Sequence, residues 1–270
     1  MILSFHPLFV GDKNILCAGR DPDQEELDAI KKASAVVLSQ GCRESLFNMA
    51  SANCSKVFPD YHIRFKYPGK TGQAKLFMET GINYPKTEVY DTTEVLTEKL
   101  TFEYPFVFKF DWGGEGETVF LLESRDDLEK IAQKAVDFEK TGQKGFIVQE
   151  YVPTDHRSLR VVVIGRKYIS YWRTQEKNGT FYSSLSKGAL FDSRSDPAMQ
   201  KSAVRAVKSF CMKTSINLAG FDLLFSTDPK TADPYFLEIN YFFGRRGLGG
   251  SENYYKLLLH EIDVWLKEVK

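Results

Sequence analysis

Two short apolar runs near the carboxyl end constrain this chain more than any other stretch: AGFDLLF at 219–225 and PYFLEIN at 234–240. In the second, Phe236, Leu237 and Ile239 surround Glu238 and Asn240 at strand spacing. Side chains alternate along a strand, so this spacing predicts that Glu238 and Asn240 share one face. Asp222, sixteen residues before Glu238 and on a neighbouring strand, completes an all-oxygen set. Such a set suits Mg²⁺, a hard cation that takes few protein oxygens and fills its octahedron with water and phosphates. The same residues also describe an ordinary hairpin with solvated acids and a turn at Thr227, Asp228, Pro229 and Lys230. The pair alone leaves both readings open.

At 270 residues the chain is long enough to bury a substantial core, as one large domain or two to three small ones. Lys plus Arg and Asp plus Glu both number 36, so no net charge points to nucleic acid or an anionic membrane surface. No apolar stretch approaches the roughly 20 residues of a membrane span. The opening MILSFHPLFVGDKN lacks the basic start and cleavage site of a signal peptide. Cys17, Cys42, Cys54 and Cys211 form neither a CxxC pair nor a metal-ligand spacing. They read as buried free thiols in a reducing cytoplasm.

Along the first 60 residues, strand-like ILSFHPLFV, NILCAG, 35–39 and 56–59 alternate with helical stretches. One helix is expected to start at Asp21-Pro22-Asp23-Gln24, with an Asp cap and Pro at the first helical position. The second is CRESLFNMASANC. That alternation predicts a small parallel α/β unit. A helix is expected over 71–80, ended by Gly81, then a strand at 86–90 and a helical stretch at 93–100. Strands at 105–110, 118–122 and 145–151 enclose a glycine-rich turn and a helix at 125–138. RVVVIGRKYISYWR reads as a hairpin turning at Gly165-Arg166, and helices are expected at 197–214 and 252–270. There is no internal repeat and no low-complexity tract.

Lys109 lies inside the apolar strand PFVFKF. It is either an edge residue whose head reaches water or a buried ammonium that needs a partner. Gly113-Gly114-Glu115-Gly116 follows, and such turns let a backbone approach phosphate oxygens closely. Together they describe a phosphate clamp. Gly69-Lys70-Thr71 is not a P-loop, because the position needing the first glycine is Arg64. Lys70 remains a cation at a helix start, where a ligand phosphate must justify it. IVQEYVP at 147–153 is a strand running into an extended segment whose backbone suits an adenine edge. No HExxH, nucleophile elbow or Ser-His-Asp order is present, so the chain does not read as a hydrolase.

These pieces stand in the order shown by one family. The chain resembles the ATP-grasp superfamily, most closely the RimK-like branch that includes ribosomal-protein glutamate ligases and bacterial glutathione synthetases. GKTGQAKLFMETGINYPKTEVY is similar to its lysine-bearing helix and "G-I-x-x-P-x-T". YPFVFKFDWGGEGETVFLLES is similar to its "P-V-V-x-K-P" strand, glycine loop and "G-V-x-L" strand. FIVQEYV resembles the adenine-hinge "V-Q-E-[FY]-I", and LRVVVIGRKYISYWR with FYSSLSKGA resembles "D-I-R-x-F-V-V-G…R" and "F-R-S-N-L-x-R-G-G". AGFDLLF and PYFLEIN resemble "A-G-V-D-L" and "x-x-E-V-N". The resemblance covers about 64–250.

It implies an α/β ATP-grasp fold of two α+β subdomains gripping ATP, at 63–150 and 151–270, after a short Rossmann-like βαβ unit at 1–62. Lys70 and Lys109 would bind the ATP phosphates under a lid of Gly113, Gly114 and Gly116. Gln149, Glu150, Tyr151 and Val152 would meet the adenine. Asp222, Glu238 and Asn240 would hold Mg²⁺, two ions with Glu238 bridging, and Mn²⁺ would substitute. Arg160 and Arg173 would lie near the γ-phosphate and the acceptor carboxylate, and Lys187, Arg245 and Arg246 would contact substrate. The implied activity is an ADP-forming ligase that activates a carboxylate as an acylphosphate for an amine or thiol. A small-molecule kinase or a non-catalytic ATP binder is the alternative. The implied partners are small-molecule or peptide carboxylates and amines, with no nucleic acid and no membrane, and a cytoplasmic homodimer is the implied assembly. Ser158 replaces the branch's Asp, Ser184 and Lys187 replace an Asn and an Arg, and 241–250 departs from "x-S-P-G-L-E-G". These departures imply an acceptor unlike that of its nearest relatives.

Overall fold

The computed structural model describes residues 1–17, 19–96, 100–113, 118–174, 190–228 and 231–268. Each of its three sheets is drawn from its own stretch of chain. In the first, β1 (Ile2–Ser4), β2 (Lys13–Asn14), β3 (Ala35–Val37) and β4 (Val57–Phe58) pair in the order β2-β1-β3-β4. All three pairings are parallel; α1 (Gln24–Lys31) lies in the crossover from β1 to β3 and α2 (Glu44–Asn53) in that from β3 to β4, while β1 and β2 are joined by the non-helical stretch 5–12. Of the strand expected over NILCAG (14–19), only Asn14 is in a strand among the described residues, as the second residue of β2.

The first helix starts later than expected. Asp23, not Asp21, is its cap: the Asp23 carboxylate accepts from Glu25 N at 2.9 Å, and Glu26 accepts from Asp23 N at 2.8 Å. Both Asp21 and Asp23 have a capping-box partner three residues on. Arg20 breaks the tie by holding the buried Glu26 in an ion pair at 2.5 Å.

After α3 (His62–Lys66) and α4 (Gly69–Thr80), the second sheet is built from β5 (Thr87–Tyr90), β6 (Phe106–Phe110), β7 (Val119–Leu122) and, beyond α5 (Arg125–Lys140), β8 (Phe146–Glu150). It is antiparallel, in the order β5-β8-β6-β7. Phe106, Phe108 and Phe110 alternate onto one face and pack with Phe146, Val148 and the Ile131 side of α5. Val107 and Lys109 therefore face the other way. Because β6 lies between β8 and β7, Lys109 is not an edge residue. Of the helix expected at 93–100, the described part is a single 3-10 turn, Thr93–Val95. The Glu139 carboxylate accepts from both Thr93 N and Thr93 Oγ1, and residues 97–99 of the expected helix lie outside the described residues.

The third sheet comprises β9 (Arg157–Ile164), β10 (Lys167–Thr174), β11 (Leu190–Asp192) and, after α6 (Pro197–Thr214), β12 (Leu218–Leu224) and β13 (Tyr235–Asn240). It is antiparallel throughout, ordered β11-β10-β9-β12-β13. One face packs on Val207 and Phe210 of α6, and Leu76 and Phe77 of α4 enter the same core. On the opposite face, α7 (Ser251–Glu268) packs with Val37 and Phe58 of the first sheet against Val162, Ile164 and Leu218. Among the described residues no helix is long and apolar enough to cross a membrane.

The β12–β13 pairing departs from simple alternation. Asp222 stands opposite Glu238 but Leu223 stands opposite Phe236, so Leu237 is an extra residue. This bulge lets Phe236 and Ile239, three apart, enter one core while Leu237, Glu238 and Asn240 line a cavity.

Candidate active site

A cavity of about 460 Å³ is bounded by the Lys109 face of the second sheet, by α4 and by the β12–β13 side of the third sheet. Lys70, Lys109, Gln149, Glu150, Tyr151, Val152, Arg160, Arg173, Asp222, Glu238, Asn240, Arg245 and Arg246 all stand on its wall. Gly113 does not, and Gly114, Gly116 and Lys187 lie outside the described residues.

At one end two lysines converge. Helix α4 begins at Gly69, where φ is 69° and a Cβ would lie 2.4 Å from Asp111 Oδ1. Only glycine permits this approach, through which Asp111 caps the helix by accepting from Thr71 N at 2.8 Å. Lys70, the next residue, donates to the carbonyls of Trp112 and Gly113 at 3.2 and 3.1 Å. Burial lowers its pKa against the pull of Glu238 and Asp111. Lys109 Nζ donates to Gln149 Oε1 at 2.6 Å, Gln149 Nε2 to Thr87 Oγ1 at 2.8 Å, and Thr87 Oγ1 to the Pro85 carbonyl at 2.7 Å. This chain is neutral, so it orients the ammonium without cancelling its charge. Burial pushes the Lys109 pKa down to about 8, although Glu238 draws it upward. A buried cation without a hydrogen-bonded carboxylate is costly to hold. It suits a site built to meet an anion. Glu150 accepts from Lys86 N at 2.8 Å, which commits its carboxylate to fixing the chain before β5.

The acids sit on the third sheet. Register places Glu238, Asp222, Arg160 and Tyr171 in one row across β13, β12, β9 and β10. Arg160 donates to Asp222 through Nε and Nη2, both at 2.7 Å. Arg173 approaches the same carboxylate at 2.7 Å, and Asn240 Nδ2 donates to it at 3.0 Å. A carboxylate offers about four lone-pair positions, and these donors fill them. Burial pushes the Asp222 pKa up, but the two guanidiniums outweigh it and hold the acid below its ordinary value. Arg173 also donates to Ser158 Oγ at 3.0 Å, while its Nε is buried without a partner, at a cost of about 1–3 kcal/mol. Glu238 makes no hydrogen bond or ion pair among the described residues. Burial raises its pKa, and the Asp222 charge adds to that rise.

This donor set fits Mg²⁺, which is held by one or two carboxylates and completes its shell with phosphates and water. Glu238 is a carboxylate with free lone pairs. Asn240, whose Nδ2 is engaged by Asp222, keeps its amide oxygen as an acceptor. Asp222, with these contacts in place, has no lone pair to spare.

Two glutamines went unrecognised in the sequence. Gln73 of α4 accepts from Ile239 N at 2.7 Å and donates to the Ile239 carbonyl at 2.9 Å. Its amide acts as the missing neighbour of β13, the sheet's edge strand, and ties the Lys70 helix to the Glu238 strand. Gln40 of the first unit donates to the Tyr241 carbonyl at 2.7 Å and accepts from Tyr254 Oη at 3.3 Å. It fastens that unit to the loop after β13. No local signal marks either residue, because each partner lies more than 160 positions away. In that loop Arg245 rests over the rings of Tyr254 and Tyr255, 4.5 Å from each centroid. Arg246 is exposed and its guanidinium has no partner among the described residues.

The model of the RimK-like ATP-grasp domain family matches residues 69–259. The chain belongs to that family. A probable alpha-L-glutamate ligase from Alkalilimnicola ehrlichii is 29% identical over 184 residues, 66% of this chain and 57% of that relative. The chain thus spans little more than half the length of the curated relatives it matches most fully. A RimK domain ATP-grasp protein from Sphaerobacter thermophilus superposes with a TM-score of 0.65, covering 96% of this chain and 98% of that one at 15% identity. The D-alanine–D-alanine ligase of Bacillus anthracis, solved with ATP, gives 0.59 over 91% and 86% of the two chains at 14% identity. The ATP-grasp fold expected from the motifs is therefore the fold of this RimK-like protein.

Proposed function

We propose that this RimK-like protein is an ATP- and magnesium-dependent ligase that joins a carboxylate to an amine. The observation that carries this is one cavity holding the buried Lys109, the half-buried Lys70 and Glu238, where among the described residues both lysines are tethered only to neutral acceptors and the glutamate has no partner. A magnesium–triphosphate complex matches that arrangement: the lysines meet phosphate oxygens, and Glu238 and Asn240 meet the metal. Asp222, as the holder of Arg160 and Arg173, completes the set from behind. Bound Mg²⁺ would neutralise charge on the transferring phosphoryl group. The 149–152 segment would border the adenine.

In the proposed reaction a carboxylate oxygen of the acceptor attacks the γ-phosphorus and ADP leaves, giving an acylphosphate. The amine nitrogen then attacks the acyl carbon and loses a proton, and phosphate departs with the electrons of the C–O bond. Catalysis rests on positioning and on charge neutralisation, as a loose phosphoryl-transfer transition state demands. Arg160 and Arg173, oriented by Asp222, would stabilise the tetrahedral oxyanion. The relative named as an alpha-L-glutamate ligase supports an amino-acid or peptide substrate.

The test is incubation with ATP, Mg²⁺ and pools of carboxylates and amines while phosphate is followed. A ligase releases phosphate in step with a new amide only when both substrates are present. A stable phosphorylated product would make the protein a kinase, and nucleotide binding without turnover would make it a binder.

A further inference from the structure

We propose that the arginine end of the cavity seats a carboxylic acid carrying an aromatic or bulky apolar body. The proposal deepens the ligase reading by naming the class of acceptor, and its binding test does not require turnover.

Of the phenylalanines the structure describes, only Phe191 and Phe242 are exposed, at 40% and 64%, and both stand on the wall of this one cavity. The other described phenylalanines are covered at least in part. Neither ring is loose. Phe191 meets Tyr171 edge-on, with centroids 5.7 Å apart, and Phe242 is stacked on the Arg64 guanidinium at 4.9 Å. Tyr171 is fixed in turn beneath Gly247, where a Cβ would lie 2.3 Å from its Cζ. Held rings in a concave wall present apolar surface to a ligand.

The charges beside them sort into committed and uncommitted donors. Arg160 spends its fork on Asp222, while Arg245 is held in place over Tyr254 and Tyr255 by its ring contacts, which do not use its N–H donors. The Arg246 guanidinium and the Arg173 Nε–H have no partner among the described residues. An acid accepts from such donors with the fork geometry that a guanidinium offers. A ligand that satisfies both donors and rings carries one carboxylate and an apolar substituent. A short aliphatic diacid instead brings a second charge against the rings.

The probes are 3-phenylpropionate, propionate and glutarate, titrated by calorimetry into protein saturated with Mg²⁺ and a non-hydrolysable ATP analogue, and into nucleotide-free protein. Binding of the analogue is measured first and reports separately on the nucleotide site. The phenyl acid should bind at least about tenfold tighter than either other acid, as burial of a ring predicts. Phe191→Ala combined with Phe242→Ala should cut that preference to below about threefold with analogue affinity unchanged. Arg246→Gln should weaken all three acids alike. Equal affinities, no acid binding in either state, or a preference that survives loss of both rings would overturn the proposal. Failure of the analogue to bind would sink the ligase reading, while the nucleotide-free titration would still decide this one.

Discussion

The two ends of the cavity hold their cations in opposite ways. Among the described residues Lys70 and Lys109 hydrogen-bond only to carbonyls and an amide oxygen, so their charge is not cancelled there. Arg160 and Arg173 converge on Asp222, so much of theirs is cancelled inside the protein. The pKa shifts follow that division only in part. Burial pushes Lys109 down to about 8, whereas Arg160 rises because its attraction to Asp222 exceeds the burial that opposes it; for Arg173 burial outweighs the same carboxylate and lowers the pKa. What a buried cation is bonded to therefore says what it is for. A neutral tether marks a cation meant for a ligand, and a carboxylate partner marks one that is positioned.

The largest effect is expected where that pairing is broken. Asp222→Asn strands two buried guanidiniums, and unfolding in urea should show a loss of about 3–5 kcal/mol. A loss below about 1 kcal/mol, the scale of an exposed pair, would mean that Asp222 does not hold the arginines. Glu238 has no partner to strand among the described residues, so Glu238→Gln should leave the unfolding midpoint in place while ATP turnover falls about 100-fold or more. Near wild-type turnover with Mg²⁺ would remove Glu238 from the metal site.

At the neutral-tether end, Lys109→Met should weaken nucleotide binding about 10- to 100-fold in calorimetry, the worth of a charged hydrogen bond, without loss of stability. Unchanged affinity would make the neutral tether uninformative. The same residue separates binding from stability by pH. Its proton is held to the ordinary 10.5 in the unfolded chain but only to about 8 in the fold. Nucleotide affinity should therefore fall from pH 7 to 9 as the ammonium is lost. The Lys109 contribution to stability should rise between about pH 8 and 10.5, where the unfolded state binds more protons. Both slopes should flatten in Lys109→Met, and a slope that persists belongs to another group. The smallest effect is expected for Gln73→Ala, about 1 kcal/mol in unfolding for its hydrogen bonds to β13. No change would show that the edge of β13 needs no cover.

Much of the fold was legible because its signals are local. The hairpin at Gly165, the helix Pro197–Thr214 and the Gly81 stop of α4 follow from periodicity and from glycine or proline punctuation. The order of the motifs led to the family that the domain match shows. The first helix cap was misplaced by two residues, since two equivalent capping boxes overlap there and a tertiary ion pair to Glu26 selects one. Simple alternation put Glu238 and Asn240 on one face, as they are, but missed the bulge that turns Leu237 to join them. A bulge is decided by what both faces must bury, and that is invisible within one strand.

The sequence by itself determined most of the strands and helices, the ATP-grasp family, and the residue types that converge on the cavity. Each of these is written in spacings of a few residues. Only the tertiary structure decided which cations are free and which are paired, because that depends on partners brought from far along the chain. Lys109 meets Gln149 from 40 positions away, Arg160 meets Asp222 from 62, and Gln73 meets Ile239 from 166. Charge is a property of a residue, but its availability is a property of the contacts that surround it.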